Sequence, residues 1–249
     1  YSIYNRRCPV LKHQLERCPI NKEGVAGCYP ACSMTNGFGG AGAYSDGKYN
    51  ITTEFGGWLS DYIDDEELLN LINYCDEINL KFGATEIITD PYTDEIKKIE
   101  KQAIGAGLKL LRAKVRHLGT EENLNILKRI YEYLKERVEI RFLTALKDII
   151  VEDNTVKGII LNDDNKIYAD NVALCLGRDG YIFLNELLEK HNIQMHNNQV
   201  DIGVRVETSD VIMEDINKNL YEGKFIFNTS VGTKVRTFCS NPSGHVVIE

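Results

Sequence analysis

Val138-Glu139-Ile140-Arg141-Phe142 opens the stretch on which the fold reading turns. Apolar and polar residues alternate there with period two, the pattern of a half-buried strand. Residues 145–152, 156–161 and 166–168 follow as three further short strands, with Asp153-Asn154 and Asp163-Asp164-Asn165 as turn formers between them. Together they predict a small antiparallel meander. The chain then runs through Asn171-Val172-Ala173-Leu174-Cys175-Leu176 to Gly177. A near-continuous apolar run closed by glycine predicts a buried parallel strand with a loop at its carboxyl end.

On the amino-terminal side, Asp64 and Glu67 form a capping-box pattern ahead of Leu68, Leu69, Leu71, Ile72, Cys75 and Ile78. That predicts an amphipathic helix ending at Gly83. A second helix fits 94–106, with Ile96, Ile99, Ala103 and Ile104 on one face. Residues 108–115 read as one strand, and a third helix starts at a Thr120 cap. On the carboxyl side, 181–191 and 210–221 read as helices. Residues 200–206, 224–228 and 234–239 read as strands, with a turn at Asn241-Pro242-Ser243-Gly244 before a last strand. Helices and strands in mixed order predict an α/β fold with a β-rich appendage.

Hydrophobic residues make up 43% of the 249-residue chain and charged residues 27%, enough for a real core. The net charge of −8 argues against nucleic acid held by counterion release, and against a polybasic membrane surface. No apolar run approaches the roughly 20 residues that span a bilayer. These features predict a soluble, cytoplasmic protein with a small-molecule substrate. Seven cysteines, an odd number without a secretion signal, favour free thiols in a reducing compartment. Tyr1 opens the chain without an initiator Met, and Val246-Val247-Ile248 reads as a strand still running at its end. We therefore expect a piece of a longer protein.

Gly37-Phe38-Gly39-Gly40-Ala41-Gly42 matches the G-x-G-x-x-G pattern, but neither flank supplies the strand and helix of a dinucleotide fingerprint. Two readings stay open: backbone pressed against a flat ligand, or a flexible surface loop.

The longer run Gly37 through Lys48, GFGGAGAYSDGK, resembles the signature of a family of bacterial FAD-dependent oxidoreductases in the wider glutathione-reductase-like flavoprotein group. Arg7-Cys8-Pro9, Gly56-Gly57-Trp58-Leu59, Lys81-Phe82-Gly83-Ala84-Thr85, Val115 to Thr120 and Asp201 to Glu207 are similar to the same family. The resemblance implies a partial FAD/NAD(P)-binding-type three-layer fold, with an antiparallel β-meander and an inserted mixed α+β substrate domain. It implies a flavin-contact loop region at 1–60, a helical insertion with one strand at 61–118, and the helix, strand, meander and closing strand of the FAD domain at 119–180. The start of a substrate or cap domain would follow at 181–249. The implied cofactor is FAD, with NAD(P)H as a possible electron donor. Its implied contacts are Gly37, Gly39, Gly40, Ala41, Gly42, Ser45, Asp46, Gly47, Lys48, Gly177 and Arg178. Leu176 departs from the small or polar residue usual before that glycine. The family's amino-terminal Gly-rich unit would lie before Tyr1 and its carboxyl-terminal FAD segment after Glu249. A partner chain or a second copy would then complete the fold.

His117 follows a predicted strand and precedes a helix cap, which makes it a candidate general acid or base. Arg205, in a predicted strand among Val and Ile, is a candidate for a carboxylate substrate; Arg236 is similar. Satisfied loop and surface roles compete with each. Cys8, Cys18, Cys28 and Cys32 allow a second reading, a metal-binding or thiol-redox module without flavin, although their spacing lacks the tight pairs of zinc and iron–sulfur sites. We assign no metal ligands. Cys175 and Cys239 read as inert core thiols.

Overall fold

A computed structural model describes residues 37–177, 180–197 and 200–243, with the side chains of Ala41 and Tyr44 excepted. The cysteine cluster Cys8, Cys18, Cys28 and Cys32, the Arg7 motif, Arg178 and the expected last strand lie outside the described residues. The chain is an α/β mixture whose described sheets are all antiparallel. Its described residues divide into two compact units, one within 37–43 and 131–202 and the other within 44–130 and 203–243.

The first unit holds the expected meander. β4 (Leu146–Glu152), β5 (Thr155–Leu161) and β6 (Lys166–Tyr168) pair in sequence order. Asp153 and Asn154 both take positive φ, 50° and 57°, as a two-residue hairpin turn matching the strand twist requires. Gly158 admits β6: a Cβ there would stand 2.1 Å from the Ile167 carbonyl oxygen. Ile149, Ile150 and Leu161 are buried, as is Leu187 of α4 (Tyr181–Lys190). Asp148 accepts from Lys190, and His191 Nε2 lies 2.7 Å from its Oδ1.

In the second unit, β2 (Leu108–Leu111), β7 (Lys224–Asn228) and β8 (Lys234–Arg236) form one sheet, in the order β2-β7-β8. Ile96 and Ile99 of α2 (Asp94–Gly105) pack with Leu110 and with Leu220 of α5 (Asp210–Leu220) as its core. A separate two-stranded pair joins β1 (Lys48–Ile51) to β3 (Lys114–His117). α1 (Asp65–Lys81) starts on an Asp64 cap that accepts from Glu67 N, as the capping pattern predicts. Its buried residues are Asp76 and Asn79, while Leu69, Leu71 and Tyr74 are exposed. Asp76 takes both Nε and Nη2 of the buried Arg116 on β3, at 2.6 and 2.7 Å. α3 (Thr120–Leu134) begins at the predicted residue and buries Asn123, Leu124 and Ile126.

Several expectations fail. Residues 108–115 are two strands in two sheets, because Arg112 turns away to Glu100 and to the Pro91 carbonyl. Residues 138–142 form no strand: amides just past α3 fold back on Leu134, and Leu143 takes φ 54°. Residues 171–176 and 200–206 are also not strands, having no partner to pair with among the described residues. The 171–176 run is not buried, and Cys175 and Cys239 are exposed rather than core thiols. Ile104 is exposed, off its expected face. β8 stops at Arg236 because the Thr237 hydroxyl takes over, accepting from Phe225 N and donating to Gly223 O. β1 interrupts what we expected to be a long loop. Among the described residues, no helix is long and apolar enough to cross a membrane.

Candidate functional site

The second unit gathers Asp46, Lys48, His117, Tyr221, Glu222 and Lys224. Strand pairing makes the first link. Lys48 sits opposite His117 in the β1–β3 register, and Leu118 N donates to Gly47 O at 3.0 Å. This brings Asp46, two residues before Lys48, beside the His117 ring.

Gly47 has φ 67°, and a Cβ there would meet Leu118 Cβ at 3.0 Å and Asn123 Cβ at 3.1 Å. Side chains of the chain itself therefore fill the space this glycine leaves. Asn123 accepts from Tyr49 OH at 3.2 Å and donates to the Ser45 carbonyl at 3.4 Å. The Ser45 hydroxyl accepts from Gly47 N at 3.0 Å. The Ser45–Lys48 turn is thus held from three sides.

Tyr221 makes the second link. It follows α5 with φ 56° and ψ −50°, and Glu222 N donates to Leu220 O at 2.5 Å. That is a tight three-residue γ-turn, a conformation costing on the order of 1–3 kcal/mol. The Tyr221 hydroxyl donates to Asp46 Oδ2 at 2.5 Å, and its ring stacks on His117 with centroids 4.1 Å apart. His117 Nε2 lies 3.0 Å from Asp46 Oδ1. The approach is off the N–H axis, so it is an ion-pair contact and not an aligned hydrogen bond. Nε2 is itself shielded, while the His117 side chain as a whole is 35% exposed.

Burial raises the Asp46 pKa, but the hydrogen bond from Tyr221, the close polar contact with His117 and the charge of Lys48 outweigh it and hold the carboxyl below its usual range. Burial and the Asp46 carboxylate push the Tyr221 phenol well above its usual value. At neutral pH the pair is therefore a carboxylate and a protonated phenol. Lys48 lies 5.4 Å from the Tyr221 ring centroid, donates to Ser240 O at 2.9 Å and meets Glu222 at 3.2 Å. Glu222 also pairs with the buried Lys224. The whole is an acid–base cluster: an imidazole backed by a carboxylate, beside cations.

Of the residues expected at a site, the structure brings together Ser45, Asp46, Gly47, Lys48 and His117. Arg205, in the same unit, is exposed and makes no hydrogen bond or ion pair among the described residues. Arg236 instead braces the Phe55 carbonyl at 2.9 Å and stacks over Phe238. In the first unit, Gly37, Gly39 and Gly40 take positive φ and lead into a 3₁₀ turn, Gly40–Tyr44, that includes Ala41. A Cβ at Gly40, Gly42 or Gly177 would meet nothing within 4 Å among the described residues, as is also true of Gly57, Gly119 and Gly232. The sequence reading missed Tyr221 and Glu222 as site residues. The one signal was a charged pair, Glu222 and Lys224, directly before the apolar Phe225-Ile226-Phe227. Among the described residues, no group of three or more His, Cys, Asp or Glu could hold a metal.

No protein-family model matches the chain, and no curated protein matches it in sequence.

Proposed function

We propose that this chain is part of an FAD-dependent oxidoreductase in which His117, backed by Asp46 and Tyr221, handles the proton. One observation carries the reading. Two stretches that resemble the same flavoprotein family, residues 37–48 and 115–120, contribute Asp46 and His117 to one acid–base cluster. The β4–β5–β6 meander supports it at the level of the fold, as the meander of an FAD/NAD(P)-binding-type domain.

The glycines at Gly40, Gly42 and Gly177 have room beside them among the described residues, which is compatible with a cofactor lying there. The FAD contacts of this reading are those the resemblance implies, at Gly37, Gly39, Gly40, Ala41, Gly42, Ser45, Asp46, Gly47, Lys48, Gly177 and Arg178. When bound, FAD supplies the acceptance and return of a hydride or electron pair. The protein supplies the proton path. Asp46, ionised at neutral pH, orients the His117 ring through Nε2 and stabilises the imidazolium, as an orienting carboxylate does in a triad. The His117 ring then takes a proton from, or returns one to, the reacting group. Tyr221 fixes the carboxylate by donating to it, and Lys48, tied to Glu222 and Ser240 O, adds positive potential. NAD(P)H as electron donor and the cytoplasm as compartment belong to the same proposal. So does a partner chain or second copy, which the exposure of Val200, Ile202, Val204 and Val206 supports.

The test is a titration of the purified chain with FAD, followed by flavin fluorescence and by the visible spectrum after gel filtration. A saturable quench and a retained two-banded spectrum are expected, with photoreduced flavin reoxidising more slowly in His117→Ala. Absence of any saturable FAD binding rejects the reading.

A further inference from the structure

We infer that residues 200–206 pair antiparallel with the same residues of a second copy of this chain. The segment reads Val200-Asp201-Ile202-Gly203-Val204-Arg205-Val206. Val200, Ile202, Val204 and Val206 are 80%, 95%, 89% and 78% exposed, and Asp201, Gly203 and Arg205 are exposed as well. Every residue of the segment has a backbone N–H and C=O to offer, and none makes a hydrogen bond among the described residues. None of 201–206 takes a left-handed φ. Strand-forming residues in period-two alternation, with their backbone groups unpaired, are a template for the addition of a strand.

Charge complementarity selects the partner, because the segment is self-complementary about Gly203. When two copies run antiparallel with their Gly203 residues opposite each other, Asp201 of each faces Arg205 of the other. Val200 then faces Val206, and Ile202 faces Val204. The two-fold axis makes each of these contacts twice. All the apolar side chains fall on one face of the ribbon and both charge pairs on the other, since the side-chain period is two. Other registers lose this match. Moving the axis to Val204 places Asp201 opposite Glu207, a like charge. Moving it to Ile202 places Asp201 opposite Gly203 and leaves both charges without a counter-charge. A slip by one residue sets charged side chains against apolar ones. A single register therefore satisfies the backbone, the apolar row and the charges together. It also gives Arg205, which makes no ion pair in its own chain among the described residues, a carboxylate to meet. The inference specifies the second copy named in the flavin reading, but it does not depend on a flavin.

The experiment is sedimentation equilibrium of the whole chain over a range of concentrations, without added flavin, so its failure is separate from that of the flavin reading. Reductant is present, so that no disulfide contributes. The parent chain is expected to dimerise reversibly. Asp201→Arg and Arg205→Asp each set like charges opposite one another twice per dimer. Each is expected to weaken dimerisation roughly tenfold, about 1.4 kcal/mol. Combining the two exchanges restores both pairs with their signs reversed, and the dissociation constant is expected to return to that of the parent. Both positions are exposed, so the variants fold, which circular dichroism checks. A chain that stays monomeric, or single exchanges without effect, overturns the inference. So does a double exchange that dimerises no better than the singles, the result expected if 200–206 pairs with a different surface or a different protein.

Discussion

Asp46 accepts a 2.5 Å hydrogen bond from the Tyr221 hydroxyl across 175 residues of chain. This bond helps keep the Asp46 pKa low against the upward push of burial, and the carboxylate in turn helps keep the phenol pKa high. A carboxyl with a lowered folded pKa stabilises the fold above its unfolded value of about 3.9 and loses that contribution as pH falls through the folded value. A raised phenol contributes fully below about pH 10 and loses its share as pH rises through the folded value. Tyr221→Phe is therefore expected to cost about 1–2 kcal/mol at neutral pH, since the groups are partly exposed. The difference from wild type should shrink in acid. Urea unfolding across pH checks the loss, and carboxyl NMR should show the Asp46 midpoint rising in the variant. A midpoint that stays put would exclude the bond.

Asp148 anchors the end of α4 in the first unit. Burial raises its pKa, but hydrogen bonds from His191, Lys190 and Ile149 N bring it down to about 2. Its stabilising contribution is complete above about pH 4 and disappears as pH falls toward 2. Asp148→Asn is expected to lose about 1–2 kcal/mol at pH 7. The gap to wild type should close over that same acid window in a pH series of urea melts.

The Asp76–Arg116 pair joins α1 to β3 with both residues buried, 7% and 5% exposed. Asp76→Asn leaves a buried guanidinium without its counter-charge, which costs about 3–5 kcal/mol. Leu71→Ser on the same helix should stay within about 0.5 kcal/mol, because Leu71 is exposed. Thermal melts of the two variants distinguish a helix docked by an ion pair from one docked by its leucines.

That contrast marks where the sequence was legible. Local signals worked: the Asp64 cap, the Thr120 start, the Asp153-Asn154 turn and the strands around it follow from side chain–backbone chemistry within a few residues. Partner-dependent features did not. Residues 171–176 and 200–206 carry strand-like patterns, but a strand exists only where another pairs with it. The apolar stripe of α1 suggested a buried leucine face, whereas the buried residues are Asn79 and Asp76, whose arginine lies 40 residues away. At the site, Asp46 and His117 could be singled out by motif and position. Tyr221 could not, because a γ-turn after a helix brings it there, and the helix pattern alone ran one residue too far.

Gly40 and Gly47 sit in one glycine-rich signature yet answer to different demands. Both have positive φ, 55° and 67°. At Gly40 a Cβ meets nothing within 4 Å among the described residues, so Gly40→Ala pays for the left-handed backbone, about 1–2 kcal/mol. At Gly47 the same methyl also presses on Leu118 and Asn123, both firmly placed, which adds about 1–3 kcal/mol of overpacking. Gly47→Ala should therefore be clearly the less stable variant, and the shift should loosen Asp46 from His117. Unfolding midpoints check the order. FAD titration of Gly40→Ala then separates the two open readings of the motif. If the glycines lie against the cofactor, that variant folds and loses flavin affinity. If they are only a surface loop, it folds and binds as the parent does.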